Sequence, residues 1–150
     1  RGVTVWLKGN RVSRNQIMAI KEESVTEQKN SLAVCLDNIL RHAGITRNTE
    51  YDLAQGKTAT TILSENMTGV QVLDLSGCTL DAVLYYVNQD IPVLAILEDG
   101  EAVLVTGFNE FNVVIMEPAT GKLYKKGMND ATAWFAENGN HFITYMRIEN

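Results

Sequence analysis

The hydrophobic pattern of this chain changes period at Asp90, and that change restricts the fold more than any other feature. Before it, apolar residues mostly recur every three or four positions. Leu32, Leu36, Ile39, Leu40 and Ala43 form one stripe, which predicts a helix over 31–43. Asn30 or Ser31 can cap its start, and Gly44 can close it in a left-handed conformation. Shorter helices are expected over 48–55 and 58–65, divided by Gly56 and capped by Asn48 and Thr58. Val70, Val72, Leu73 and Leu75 predict a strand. Residues 79–88 return to helix, with Thr79 as cap and Leu80, Val83, Leu84 and Val87 facing inward. Ahead of all these, Val3–Leu7 alternate as a strand would, and 8–30 read as a loop with a short strand around Ile17, Met18 and Ile20.

After Asp90 the chain turns to β-branched runs. Strands are expected over 91–97, 102–108, 112–116, 122–125 and 141–148, with one helix over 128–137 carrying Trp134 and Phe135. Asp99-Gly100 marks a hairpin, and Thr120-Gly121 a second turn. Helices first and antiparallel strands second is an α+β order, not an alternating α/β one. The expected architecture is a helical half packed against one face of a twisted antiparallel sheet. A cleft between two such halves is a common place for a site.

Composition narrows the chemistry. The 150 residues suit one domain, spanning 1–150, and can bury a core without a disulfide or metal staple. A net charge of −5 argues against a nucleic-acid or anionic-membrane surface, since both need a clustered positive field. Two Cys and two His build neither a disulfide framework nor a convincing zinc site, so no metal or cofactor is expected. No segment approaches the ~18 consecutive apolar residues of a transmembrane helix. The chain opens on Arg1 rather than Met, which reads as a piece of a longer protein. Asn66-Met67-Thr68 matches a glycosylation sequon, a triplet that also arises by chance.

Several segments together carry a resemblance. Ser31–Leu40 with Gly44 resembles the first helix of the bacteriocin-processing cysteine peptidases, papain-like enzymes that cut leader peptides after a double glycine. Thr79–Val87, Ile91–Ile96, Glu101–Gly107 and Val113–Pro118 resemble the family's later helix and strands, in order and at the right spacing. The resemblance covers residues 24–147. It implies a papain-like cysteine peptidase fold and a Cys–His–Asp site. In such a site the helix dipole and a neighbouring imidazolium lower the thiol pKa from ~8.5 to as little as ~3.5. A His on a strand shuttles the proton, and an Asp before Pro orients the ring.

Carried over position by position, the resemblance places Ser31 where the family has its Cys, Glu101 where it has His, and Glu117 where it has Asp. It places Val25 where a Gln helps bind the oxyanion, with Gln28 displaced by three residues. Two of the three triad positions change chemical type. A Ser hydroxyl needs a positioned base, and a carboxylate of pKa ~4.3 is a weak one. Losing a single triad member can cost ~10⁶-fold in turnover. The reading is therefore a peptidase-like domain without catalysis, which binds or docks a peptide or protein partner. Two alternatives stay open. One is an active cysteine peptidase whose nucleophile was replaced by Ser31, or which uses Cys35 or Cys78. The other is a structural spacer of a large bacterial protein. The compartment stays open as well, an extracytoplasmic site and a larger membrane-associated protein among the options, and so does the oligomeric state.

Blander roles compete for the same residues. Ser31 is most simply a capping hydroxyl, and Cys35 and Cys78 are small buried apolar residues. His42, eleven residues past Ser31 and ~16 Å along the helix, is a surface His, while His141 would need an unusual fold to reach the cleft. Glu101 reads as a solvated residue beside a turn, and Glu117 as a strand end. Tyr85-Tyr86 is helix packing. Lys122, Lys125 and Lys126 form a small solvated basic edge.

Overall fold

The computed structural model describes residues 16–17 and 30–148. The strand expected over 3–7 and the oxyanion position at Val25 and Gln28 lie outside them. Helix α1 runs Ser31–His42, α2 Glu50–Ala54, α3 Ala59–Asn66, α4 Leu80–Val87 and α5 Met128–Glu137. Each start follows from local chemistry. The Asn30 carboxamide accepts from the main-chain N–H of Leu32 and Ala33, two donors left over at the start of α1. Thr58 and Thr79 cap α3 and α4 in the same way. The α2 start differs: Thr49 occupies the cap position, and Asn48 instead accepts from the Glu50 N–H in a local turn. Gly44 closes α1 at a φ of +88°, a conformation that costs a residue without a Cβ nothing.

The strands are β1 (Gln16–Ile17), β2 (Val70–Asp74), β3 (Val93–Ile96), β4 (Ala102–Phe108), β5 (Asn112–Glu117), β6 (Lys122–Gly127) and β7 (His141–Arg147). They form one antiparallel sheet in the order β2-β7-β3-β4-β5-β6. The short β1 pairs with Gly107 and Phe108 of β4, past the point where β3 stops. The last strand is thus inserted near the middle of the order, between β2 and β3. The β3–β4 connection closes at Leu97 N–H to the Glu101 carbonyl (2.7 Å), so Asp99-Gly100 forms the last two residues of a three-residue loop. Gly100 takes its left-handed place at φ +85°. A bulge at Thr106 shifts the β4–β5 register between Val105 and Gly107, and the buried Thr106 hydroxyl donates to the Val114 carbonyl.

One apolar core joins all layers: Leu36, Ile39 and Leu40 of α1 and Leu84 and Val87 of α4 belong to one buried cluster with the central strands. Every residue of β4 is buried. Successive side chains point to opposite faces, so the sheet centre is covered on both sides. That corrects the expectation of one covered face. The period-2 signal is weak in β4 because both of its faces carry apolar or small residues.

Candidate functional site

The Asn30 cap decides what Ser31 does. Since Asn30 satisfies the first free N–H groups of α1, the Ser31 hydroxyl is not needed as a cap. It turns toward the sheet instead and accepts the main-chain N–H of Ala102 at 2.9 Å. Ser31 is buried, and Ala102 is the first residue of β4. This corrects the capping role expected for Ser31: one carboxamide already takes both donors. The bond spans 71 residues of chain and ties the start of α1 to the residue after Glu101. Chemically, it puts a donor on the hydroxyl oxygen. A donor cannot remove the hydroxyl proton. Among the described residues, no hydrogen bond joins this hydroxyl to an imidazole or a carboxylate.

The other sequence candidates are spread out. Glu101 is exposed, and its N–H donates to Asp99 Oδ1 at 2.9 Å within the hairpin. Glu117 is half-buried at the end of β5, where its Oε1 accepts from the Ala119 N–H at 2.9 Å. Its charge also acts on Cys35, one turn past Ser31. Cys35 is fully buried, and desolvation first, then the Glu117 carboxylate, pushes its thiol far above the ordinary range. A thiol that stays protonated is a poor nucleophile. Cys78 is half-buried before α4.

His42 is not the surface residue expected. Its ring is largely buried, with Nε2 lying 3.2 Å from the Asp90 carbonyl and 3.4 Å from Asp90 Oδ2. Asp90 is held there at a left-handed φ of +67°. His141 falls in a cross-strand row with Ile96 and Ala102, so it lies nearer to the Ser31 bond than its sequence position suggests. Two strand spacings, about 10 Å between Cα atoms, separate it from Ala102, and among the described residues no hydrogen bond joins its ring to Ser31. Tyr85 and Tyr86 pack edge to face at 5.1 Å, and burial raises the Tyr86 pKa. Lys126 sits over the Trp134 ring at 5.1 Å, so the basic edge is partly a cation–π contact.

The fold has a counterpart among solved structures. A crystal structure from Bacillus anthracis, provisionally described as a C39-like peptidase, superposes with a TM-score of 0.71 over 89% of this chain and 98% of its own, at 12% identity. The fold is that of a C39-like peptidase. No family model matches the sequence, and no curated protein matches it either. At 12% identity the likeness is one of fold. In this chain, α1 and the central strand β4 meet at Ser31 and Ala102.

Nothing local announces the Ser31–Ala102 bond, because its partner is a main-chain N–H brought in by the sheet. A buried Ser directly after an Asn cap is the one hint that the hydroxyl is free for another task. Among the described residues, no group of three or more His, Cys, Asp or Glu is placed to hold a metal ion. No helix among them is long and apolar enough to cross a membrane. Two of the grooves among the described residues lie away from the triad positions. One of about 600 Å³ runs past His42, Met67, Val70, Tyr145 and Arg147, and one of about 460 Å³ lies beside Phe111 and Asp130. Neither is lined by Ser31, Glu101 or Glu117.

Proposed function

We propose that this is a C39-like domain without peptidase chemistry, which docks a peptide or protein partner. One observation carries the reading: the Ser31 hydroxyl, at the position the resemblance gives to the nucleophile, faces a main-chain donor, and among the described residues no imidazole or carboxylate is hydrogen-bonded to it. The triad positions Ser31, Glu101 and Glu117 then serve the fold. Ser31 pins α1 to β4, Glu101 closes a hairpin through its main chain, and Glu117 accepts from the turn after β5. Docking follows from a retained scaffold, since a peptide groove can outlast the chemistry performed in it. Calorimetric titration with double-glycine leader peptides, followed by mass spectrometry of the same samples, tests both halves. The expected result is saturable binding with every peptide intact. Cleavage that Ser31→Ala abolishes overturns the non-catalytic half, and no saturable binding overturns the docking half. An encoding gene with a cysteine codon at position 31 would return the enzyme reading to first place.

A further inference from the structure

The two edges of the sheet are built differently. Edge strand β6 carries Lys122, Lys125 and Lys126, a common protection against strand-to-strand association. Edge strand β2, Val-Gln-Val-Leu-Asp, has no lysine, no proline and no bulge. The Ile148 N–H bonds to the Gly69 carbonyl, and the Leu75 N–H to the Phe142 carbonyl. With the β2–β7 register, these bonds turn the main-chain groups of Gln71 and Leu73 toward β7 and those of Val70, Val72 and Asp74 away from it. The outward groups have no hydrogen-bond partner among the described residues.

The geometry points to a second copy of this chain as the occupant of that edge, paired β2 to β2 about a two-fold axis at Val72. Antiparallel pairing on that axis sets Val72 against Val72 of the second copy, and Val70 against its Asp74. Each outward residue then both donates and accepts. Side chains of directly opposed residues share a face. Val70 is opposed to Arg147 on β7, so Arg147, Val70 and the incoming Asp74 lie in one row. The Cα atoms of Arg147 and that Asp74 come about 10 Å apart, two strand spacings, a gap that an Arg and an Asp side chain span together. Both groups have capacity for the contact. Among the described residues, Arg147 uses only Nη1, on the Gln89 carbonyl, and Asp74 only Oδ1, on Ser76. Bonds from Ser76 hold the Asp74 carboxyl below its ordinary pKa, so it is charged at neutral pH. The axis repeats the ion pair, and the two sheets become continuous. This self-association is independent of any peptide docking.

Sedimentation equilibrium on the chain, its Asp74→Arg and Arg147→Asp variants and the double variant tests the inference. The expected result is a dimer that each single reversal weakens on the order of ten-fold and the double reversal restores. Amide exchange at Val72 should slow as protein concentration rises. Val72→Lys, which sets two lysines on the axis, should give a monomer that melts as a folded protein. A chain that stays monomeric at its highest soluble concentration overturns the inference. So does a dimer indifferent to these variants, or a Val72 amide already protected in the monomer.

Discussion

At the scale of single residues, the Ser31 hydroxyl is an acceptor, and its removal should read as a stability loss. Ser31→Ala leaves the buried Ala102 N–H without a partner, for an expected cost of about 1–3 kcal/mol in urea unfolding. Ser31→Cys tests chemistry instead of stability. It supplies a thiol at a helix start but no imidazole, so peptide hydrolysis measured by mass spectrometry should stay at background. Cys35 should resist a disulfide reagent at neutral pH until the protein unfolds, since its thiol is wholly buried and pushed upward by burial and by Glu117. Labelling of Cys35 in the folded state as fast as a free thiol would contradict that account. The residue scale is also where the sequence was least legible. Position 31 could be read as Ser after Asn, but which of the two caps the helix depends on where β4 passes. His42 and Asp90 likewise meet only because α1 ends beside the turn after α4.

At the scale of elements, caps and turns followed closely from local sequence. The Thr58 and Thr79 caps and the Gly44 terminus need only neighbouring backbone, so the residues that form them were readable before any fold was known, whereas Asn30 was one of two candidates for the α1 cap. Asn30→Ala should cost about 1 kcal/mol, read from the thermal or urea midpoint. The turn after β2 supplies a pH-dependent case. The Asp74 carboxylate accepts from the Ser76 hydroxyl and N–H, which lowers its pKa below the ordinary 3.8. A lowered carboxylate pKa adds stability above the unfolded value, and that stability is lost as pH falls through the folded value. Ser76→Ala keeps the main-chain donor and removes the hydroxyl. The variant should be less stable than the parent above about pH 4, and the difference should shrink below it, in urea unfolding measured across pH. A difference constant down to pH 2 would assign the Ser76 contribution to packing.

At the scale of the whole molecule, one core links the helices to the sheet, and Phe142 of β7 stands at a junction in it. Its ring lies 5.3 Å from that of Phe135 on α5, and it is fully buried between strand and helix. Phe142→Ala should cost about 3–5 kcal/mol and lower every spectroscopic probe of unfolding together, because no second core is present to unfold separately among the described residues. The sequence by itself determined the α+β order, the positions of the helices and strands after residue 30, the Thr58 and Thr79 caps, and which residues are apolar enough to be buried. Those properties depend on spacing along the chain and on contacts within a few residues. Tertiary structure alone decided that β7 enters between β2 and β3, that both faces of β4 are covered, and that Ser31 meets the Ala102 N–H. It also decided that β2 is an edge whose outward groups have no partner among the described residues. Each of these requires groups far apart in sequence to share a sheet, and pairing across such distances is selected by how the whole set of apolar faces packs, not by any one segment.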